Sequence, residues 1–163
     1  MVILLEGNEC AGKSTLHSKL KELLPSWYNF INHLDRDSIG HHMWWKKRID
    51  SPFVYVIDRG FVSELIYRPI KNDKIPNISL EEAADLCNER LLIIYCKTNR
   101  ELDDLAIRGD DYISSHEHPT VGSAYDVIIN VLKHFTRSQI ITYDWTKDNI
   151  EELVENIREF ACR

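Results

Sequence analysis

Eight consecutive residues near the start of the chain have the types and spacing that bind phosphate. They run from Gly7 to Ser14 and match the pattern GxxxxGK[ST]. In such a loop the main-chain N–H groups surround phosphate oxygens, and the following helix adds its positive end. Lys13 is expected to reach the β- and γ-phosphates of ATP, and the Ser14 hydroxyl to ligate Mg²⁺. The predicted nucleotide-binding residues of this loop are Gly7, Asn8, Glu9, Cys10, Ala11, Gly12, Lys13, Ser14 and Thr15.

A second pair of charged residues, Asp58 and Arg59, ends an apolar run. A carboxylate at such a strand tip can hold Mg²⁺ through water, and an adjacent arginine can bind a phosphoryl oxygen or an acceptor phosphate. The alternative for this pair is a surface ion pair. Ser63 and Tyr67 follow at the spacing of one helical turn. They are predicted to line an acceptor pocket, with core packing an equal alternative for Tyr67.

A third cluster, Asp35-Arg36-Asp37, follows the second apolar run. A carboxylate there can act as general base toward an acceptor hydroxyl. We favour Asp37 over Asp35, because a residue beyond the strand end can turn into the cleft. The alternative for Asp37 is a helix N-cap. If the acceptor is a phosphate, no base is needed and Arg36 becomes the more important residue.

The elements that must position these residues alternate between strand and helix. Five short apolar runs, each followed by a helical pattern, predict a parallel sheet with helices on both faces. Ligands of such sheets bind at the carboxyl ends of the strands, where Gly7, Asp35 and Asp58 all fall. A capping box at Ser79 and Glu82 predicts the start of one of the helices.

The stretch from Glu6 to Thr15 resembles the thymidylate kinase motif EGxDGxGKST, with Cys10 where that family usually has Gly. The stretch from Asp58 to Tyr67 resembles the family pattern DRxxxSxxAY, with Ile66 in place of Ala. The resemblance implies a three-layer P-loop kinase fold over a single domain, residues 1–163. It further implies ATP as phosphate donor, Mg²⁺ as cofactor, and contact between Glu9 and the acceptor sugar. Asp-x-Asp at 35–37 looks like shikimate-type kinases, and Arg36-Asp37 resembles polynucleotide kinases.

The resemblance also implies a lid, at about residues 98–118. Thymidylate-type kinases carry arginines there that stabilise charge in the transition state, and Arg100 and Arg108 are the matching candidates. The polar segment 110–120 is expected to be a mobile loop, with its histidines, His116 and His118, as surface residues. Trp145 follows the fifth strand, where related kinases hold the adenine. It is expected to flank the base, with core packing as the alternative.

The acceptor-side segment, about residues 36–52, is short for this kind of kinase. It contains the aromatic and basic run from Trp44 to Arg48. Aromatic faces stack on bases and cations contact phosphates, so Trp44 and Trp45 are candidates for binding an acceptor as large as DNA. The alternative is an amphipathic helix with one tryptophan buried.

Composition limits the remaining choices. The chain has 163 residues and a net charge of −6, which argues against general attraction to nucleic acid. No apolar run is long enough for a membrane span. These features predict a cytoplasmic protein, in the host cytoplasm if the resemblance to small phage-encoded kinases holds. A homodimer stays open.

Three functions remain open at this point. The first is an ATP-dependent kinase for a deoxynucleoside monophosphate similar to thymidylate. The second is a nucleic-acid kinase acting on a DNA 5′ end or on a hydroxymethylated pyrimidine base, as in phage DNA modification. The third is a nucleotide-binding switch without catalysis.

Overall fold

A computed structural model of the chain describes residues 1–32, 42–72, 75–99 and 114–163. Its strands form one five-stranded sheet in the order β2-β3-β1-β4-β5, and every pairing is parallel. The strands are β1 (Val2–Gly7), β2 (Tyr28–Ile31), β3 (Val54–Asp58), β4 (Leu91–Cys96) and β5 (Gln139–Tyr143). The predicted five-stranded parallel α/β sheet is confirmed.

Helices cover both faces of the sheet, and every position of β1 and β4 is buried as a result. In the described residues they are α1 (Lys13–Leu23), α2 (His42–Ile49), α3 (Phe61–Asn72), α4 (Leu80–Leu86), α5 (His118–Phe135) and α6 (Ile150–Ala161). Helices α1 and α6 share one core with one face of the sheet. Helices α2 to α5 form the other core, in which Trp45, Phe61 and Tyr125 are the largest fully buried side chains. The phosphate loop lies between β1 and α1, at the carboxyl edge.

Local signals located several of these elements correctly. The Ser79 hydroxyl accepts a hydrogen bond from the Glu82 N–H (3.1 Å), and the Glu82 carboxylate accepts one from the Ser79 N–H (2.8 Å). The capping box thus begins α4, as predicted. The expectation of a mobile loop through residue 120 is wrong for its described part. Glu117 closes a turn by accepting from Ser114, and α5 begins at His118.

Helix α2 ends two residues before Ser51, which fixes the position of its last turn. Its basic residues occupy the last turn, next to Ser51. The Ser51 carbonyl accepts a hydrogen bond from the amino terminus of Met1, which directly precedes β1. The basic end of α2 therefore lies near the amino edge of the sheet, whereas the phosphate loop lies at the carboxyl edge. Within the described ranges, no helix combines the length and apolar character that crossing a membrane requires.

Candidate active site

Backbone geometry explains the two glycines of the phosphate loop. Gly7 has a φ of 145°, and a Cβ at this position would lie 2.2 Å from the carbonyl oxygen of Cys96. Gly12 has a φ of 83°, and a Cβ there would lie 2.7 Å from the ring of Trp145. Cys10, where the thymidylate kinase pattern has Gly, also takes a left-handed conformation with a φ of 59°. A side chain at that φ costs about 1–2 kcal/mol, so the departure from Gly has a physical cost in this structure.

Lys13 is only 4% exposed and its ammonium donates a hydrogen bond to the main-chain oxygen of Asn8. Burial lowers the pKa of Lys13 and the nearby Arg59 guanidinium adds to this, while Glu9 and Asp58 act in the opposite direction. The ammonium is thus held inside the loop by a carbonyl and by carboxylates. This is the position from which a lysine can contact a bound phosphate.

Asp58 and Ser14 meet beside the loop, although 44 positions separate them in sequence. The parallel register pairs Asp58 with Leu5, two residues before Gly7. The Ser14 hydroxyl donates to Asp58 Oδ2 over 3.2 Å. Asp58 Oδ1 is buried and makes no hydrogen bond within the described part of the chain. A buried carboxylate oxygen of this kind, next to a hydroxyl and a phosphate loop, fits the oxygen ligand set of Mg²⁺. A cluster of three or more metal-binding side chains is absent from the described residues, but Mg²⁺ bound with nucleotide needs only one or two protein ligands.

Arg59 and Glu9 form a largely buried ion pair, with 2.6 Å between Arg59 Nη2 and Glu9 Oε1. Arg59 takes a left-handed conformation (φ 67°) at the end of β3. In this conformation its guanidinium contacts Glu9 of the phosphate loop. Burial acts to lower the pKa of Arg59. The combined effect of Glu9, Tyr67 and Tyr125 is larger than that of burial, so the pKa of Arg59 is raised. The guanidinium remains charged and lies 5.5 Å from the centre of the Tyr67 ring.

Glu6, the residue before the loop, is fully buried and organises the start of α3. Its carboxylate accepts hydrogen bonds from the N–H groups of Gly60 (2.9 Å) and Ser63 (3.3 Å), from the Ser63 hydroxyl (2.5 Å), and from Tyr125 (3.4 Å). Burial raises the pKa of Glu6 to about 6, against the hydrogen bonds from Ser63 and the positive charges of Lys13 and Arg59.

Ser63 and Tyr67 are both buried, at 6% exposure each. The Ser63 hydroxyl is bound to Glu6 and contacts Tyr125 (2.7 Å). In this structure the Ser63 hydroxyl belongs to the internal hydrogen-bond network of Glu6, and its contact with an acceptor stays a prediction. For Tyr67 the structure favours the core alternative, since its ring packs edge-to-face on Tyr125.

Trp145 lies against the phosphate loop. Its indole packs over Gly12, and the residue is 42% exposed. Trp145 is therefore not a core residue, which was the alternative to its predicted contact with the base. Asp144 fixes the loop that carries it, because its carboxylate accepts hydrogen bonds from the N–H (3.0 Å) and hydroxyl (2.6 Å) of Thr146. A partly exposed aromatic face beside the loop is compatible with stacking on a base.

The tryptophans of α2 do not form a stacking surface. Trp45 is completely buried and packs edge-to-face on Phe61, which contradicts its predicted role in binding an acceptor base. Trp44 is half-buried, and the guanidinium of Arg48 covers its ring at 3.1 Å from the ring centre. The amphipathic alternative is the correct one for Trp45: its side chain stabilises the core beneath Gly60.

Five predicted site residues lie outside the described residues. They are the base candidates Asp35 and Asp37, their neighbour Arg36, and the lid arginines Arg100 and Arg108.

Sequence reasoning missed His118, which was expected at the surface. His118 is 3% exposed and contacts the phosphate loop through Asn8 and Glu9. Asn8 and His118 also border a cleft of about 260 Å³, which Tyr95, Lys97 and Asp126 line as well. No local spacing could have indicated this contact, because 110 positions separate His118 from Asn8.

Neither protein-family models nor curated proteins match this sequence. Solved structures match it in fold. The YorR protein from Bacillus subtilis, in complex with phosphorylated GDP, is 22% identical, with a TM-score of 0.70 over 98% of this chain and 94% of that one. Deoxyadenosine kinase from M. mycoides with the products dCMP and dCDP is 15% identical, with a TM-score of 0.61 over 98% and 97%. The same enzyme with dATP is 16% identical, with a TM-score of 0.59 over 98% and 99%. This chain therefore has the three-layer α/β fold found in these nucleotide-binding and kinase structures.

Proposed function

We propose that this protein is an ATP-dependent phosphotransferase whose acceptor is a deoxynucleoside monophosphate similar to thymidylate. The observation that carries the proposal is the meeting of Ser14 and Asp58 beside the phosphate loop, with Asp58 Oδ1 buried and directed at no described donor. A loop that only bound phosphate would not need this carboxylate, whereas a magnesium–nucleotide site does.

The donor side of the site is built from residues that the structure describes. The loop N–H groups and Lys13 bind the β- and γ-phosphates, and Trp145 stacks on the adenine. Ser14 and Asp58 would hold Mg²⁺, which when bound neutralises negative charge on the phosphates.

The acceptor side depends on Arg59. Glu9 holds its guanidinium at the end of β3, beside the loop. From there it binds an acceptor phosphate and stabilises charge on the transferred group. An oxygen of the acceptor phosphate bonds to the γ-phosphorus as the bond from this phosphorus to the β–γ bridging oxygen of ATP breaks and ADP leaves, so no general base is required. Arg100 and Arg108 are proposed to cover the phosphates from the lid.

A deoxynucleoside is the second candidate acceptor. Two of the structures compared above are of a deoxyadenosine kinase with the same fold, which supports a hydroxyl acceptor. In that case Asp37 or Asp35 takes the hydroxyl proton. Phosphorylation of DNA has less support, because Trp45 is buried and the basic end of α2 lies away from the phosphate loop.

Labelled ATP offered with separate acceptors tests the proposal. The panel contains deoxynucleoside monophosphates, deoxynucleosides, 5′-hydroxyl DNA and DNA with hydroxymethylated pyrimidines, and Lys13→Ala measures the background. We expect labelled deoxynucleoside diphosphate. Transfer to nucleosides alone favours the second candidate, transfer to DNA alone overturns both, and ATP binding without any transfer indicates a non-catalytic switch.

Asp37→Asn separates the two leading acceptors. A phosphate acceptor needs no base, so its phosphorylation should continue at a similar rate in this variant. A hydroxyl acceptor should lose about 10²–10⁴-fold in kcat. Full retention with a hydroxyl acceptor excludes Asp37 as the base.

A further inference from the structure

His118 makes the phosphate loop's contact with α5. It is the first residue of this helix and is almost completely buried. The next turns of α5 are fixed in the core by Val121 and Tyr125, neither of which is exposed. His118 therefore joins the loop to a part of the molecule that packing holds rigid.

The hydrogen bonds of Asn8 identify which ring nitrogen of His118 carries the proton. Asn8 Oδ1 accepts from the Glu9 N–H (2.9 Å), so the other side-chain atom is the NH₂ group. That NH₂ group donates to the His118 carbonyl (3.0 Å) and faces His118 Nδ1 at 3.2 Å. Because a donor faces Nδ1, this nitrogen must accept. The proton then belongs on Nε2, which lies 3.3 Å from the Glu9 carbonyl and donates to it.

These bonds orient the peptide groups on which Lys13 depends. The Asn8 side chain binds the Glu9 N–H, and His118 binds the Glu9 carbonyl, so both main-chain polar groups of Glu9 are hydrogen-bonded. The main-chain carbonyl of Asn8 accepts from the Lys13 ammonium. A chain of contacts thus runs from α5 through His118 and Asn8 to Lys13.

Hydrogen bonds hold the Asn8 side chain at both of its polar atoms. Nδ2 donates to the His118 carbonyl (3.0 Å) and faces the His118 ring, and Oδ1 accepts from the Glu9 N–H (2.9 Å). A side chain held in this way loses little further freedom when a ligand binds, which favours binding.

We propose that His118, with its ring proton on Nε2, is a positioning residue that preorganises the phosphate loop for nucleotide. It acts through Asn8 and Glu9 and does not touch the reacting atoms. The kinetic consequences of this inference rest on the proposed function. The position of the proton on the His118 ring does not depend on any activity.

¹⁵N NMR of the protein without nucleotide tests the ring directly. We expect a signal for a protonated Nε2 and an unprotonated Nδ1 at neutral pH, assigned to His118 by its absence in His118→Leu. A proton on Nδ1 would overturn the proposal. This result stands whether or not the protein transfers phosphate, so it separates failure of the inference from failure of the proposed function.

Two polar variants separate the two hydrogen bonds. Asparagine places an oxygen near the position of Nδ1 and keeps an acceptor for Asn8, whereas glutamine places an NH₂ group near the position of Nε2 and keeps a donor for Glu9. We expect His118→Leu to weaken ATP binding and lower kcat so that kcat/KM for ATP falls by about 5–30-fold in total, as loss of one or two hydrogen bonds worth about 1 kcal/mol each predicts. His118→Asn and His118→Gln should each recover part of this loss, and the KM of the acceptor should change little.

The matched control is His116→Leu, the same substitution at an exposed histidine two residues earlier. It should leave ATP affinity and kcat unchanged. Wild-type ATP affinity and kcat in folded His118→Asn and His118→Gln, with only the unfolding midpoint lowered, would show a purely structural histidine and overturn the proposal.

Discussion

The phosphate loop and helix α2 both carry lysine, and the fold places the two regions in opposite surroundings. Lys13 is almost fully buried and surrounded by carboxylates and a carbonyl. Lys46 and Lys47 on α2 are exposed and lie toward the amino edge of the sheet. A buried cation in a shaped loop can select a phosphate by geometry, whereas exposed cations are screened by salt and water. The difference shows that position in the fold, more than residue type, separates a candidate catalytic lysine from a solvated one.

Removal of the two kinds of lysine should therefore have unequal effects, and this is the largest difference we expect. Lys13→Ala should lower kcat/KM for ATP by on the order of 10³-fold, because preorganised charge around the transferred phosphoryl group is lost. The double variant Lys46→Ala/Lys47→Ala should change it less than about twofold. Steady-state transfer assays measure both. Equal losses of kcat/KM in the Lys13 variant and the Lys46/Lys47 variant would show that the phosphate loop and α2 contribute alike.

The two tryptophans of α2 give the next largest effect. Trp45→Ala should lower the free energy of unfolding by about 3–5 kcal/mol, because it empties a fully buried site against Phe61 and Gly60. Trp44→Ala, at a half-buried ring covered by Arg48, should cost less than about 2 kcal/mol. Urea unfolding of both variants measures the difference. A small loss for Trp45→Ala together with weakened acceptor binding would restore its predicted role in stacking.

Glu6 should make the loop region sensitive to pH. Its pKa is raised from 4.5 to about 6, so the folded state holds the proton more tightly than the unfolded state does. Stability from this group is present below pH 4.5 and is lost as pH rises through 6, by about 2 kcal/mol at 1.36 kcal/mol for each pKa unit.

Glu6→Gln removes this titration. The difference in free energy of unfolding, variant minus wild type, should therefore rise by about 2 kcal/mol between pH 4.5 and pH 7. This rise is expected whatever the stability of the variant at pH 4.5. Urea unfolding at a series of pH values measures the difference. Parallel pH curves for the two proteins would contradict the shift.

The smallest effect concerns the backbone of the loop. Cys10→Gly should raise the free energy of unfolding by about 0.5 kcal/mol, because relief of the left-handed strain exceeds the entropy that glycine adds to the unfolded chain. Gly12→Ala is the matched control and should destabilise, since its Cβ would meet Trp145 at 2.7 Å. Destabilisation by both substitutions would show that the Cys10 side chain makes contacts that outweigh its strain.

Much of the fold was predictable from the sequence, because its signals are local. Apolar runs alternating with helical patterns predicted five parallel strands, and Ser79 with Glu82 predicted the start of α4. The phosphate loop was predictable for the same reason: its glycines, lysine and serine are contiguous, and each residue type answers a local need of backbone or ligand. The position of Asp58 beside the loop was also predictable, because carboxyl ends of parallel strands share one edge of the sheet, while its role in holding Mg²⁺ stays a prediction.

Only the tertiary structure decided which polar side chains face the site and which serve the interior. Ser63 has the same residue type whether it meets an acceptor or Glu6, and burial of Glu6 determines which. Trp44 and Trp45 are adjacent and identical, and only the rotation of α2 against Phe61 separates them. The contact of His118 with Asn8 joins residues 110 positions apart, and a contact of that kind follows from the path of the chain through the fold, which no short stretch of sequence contains.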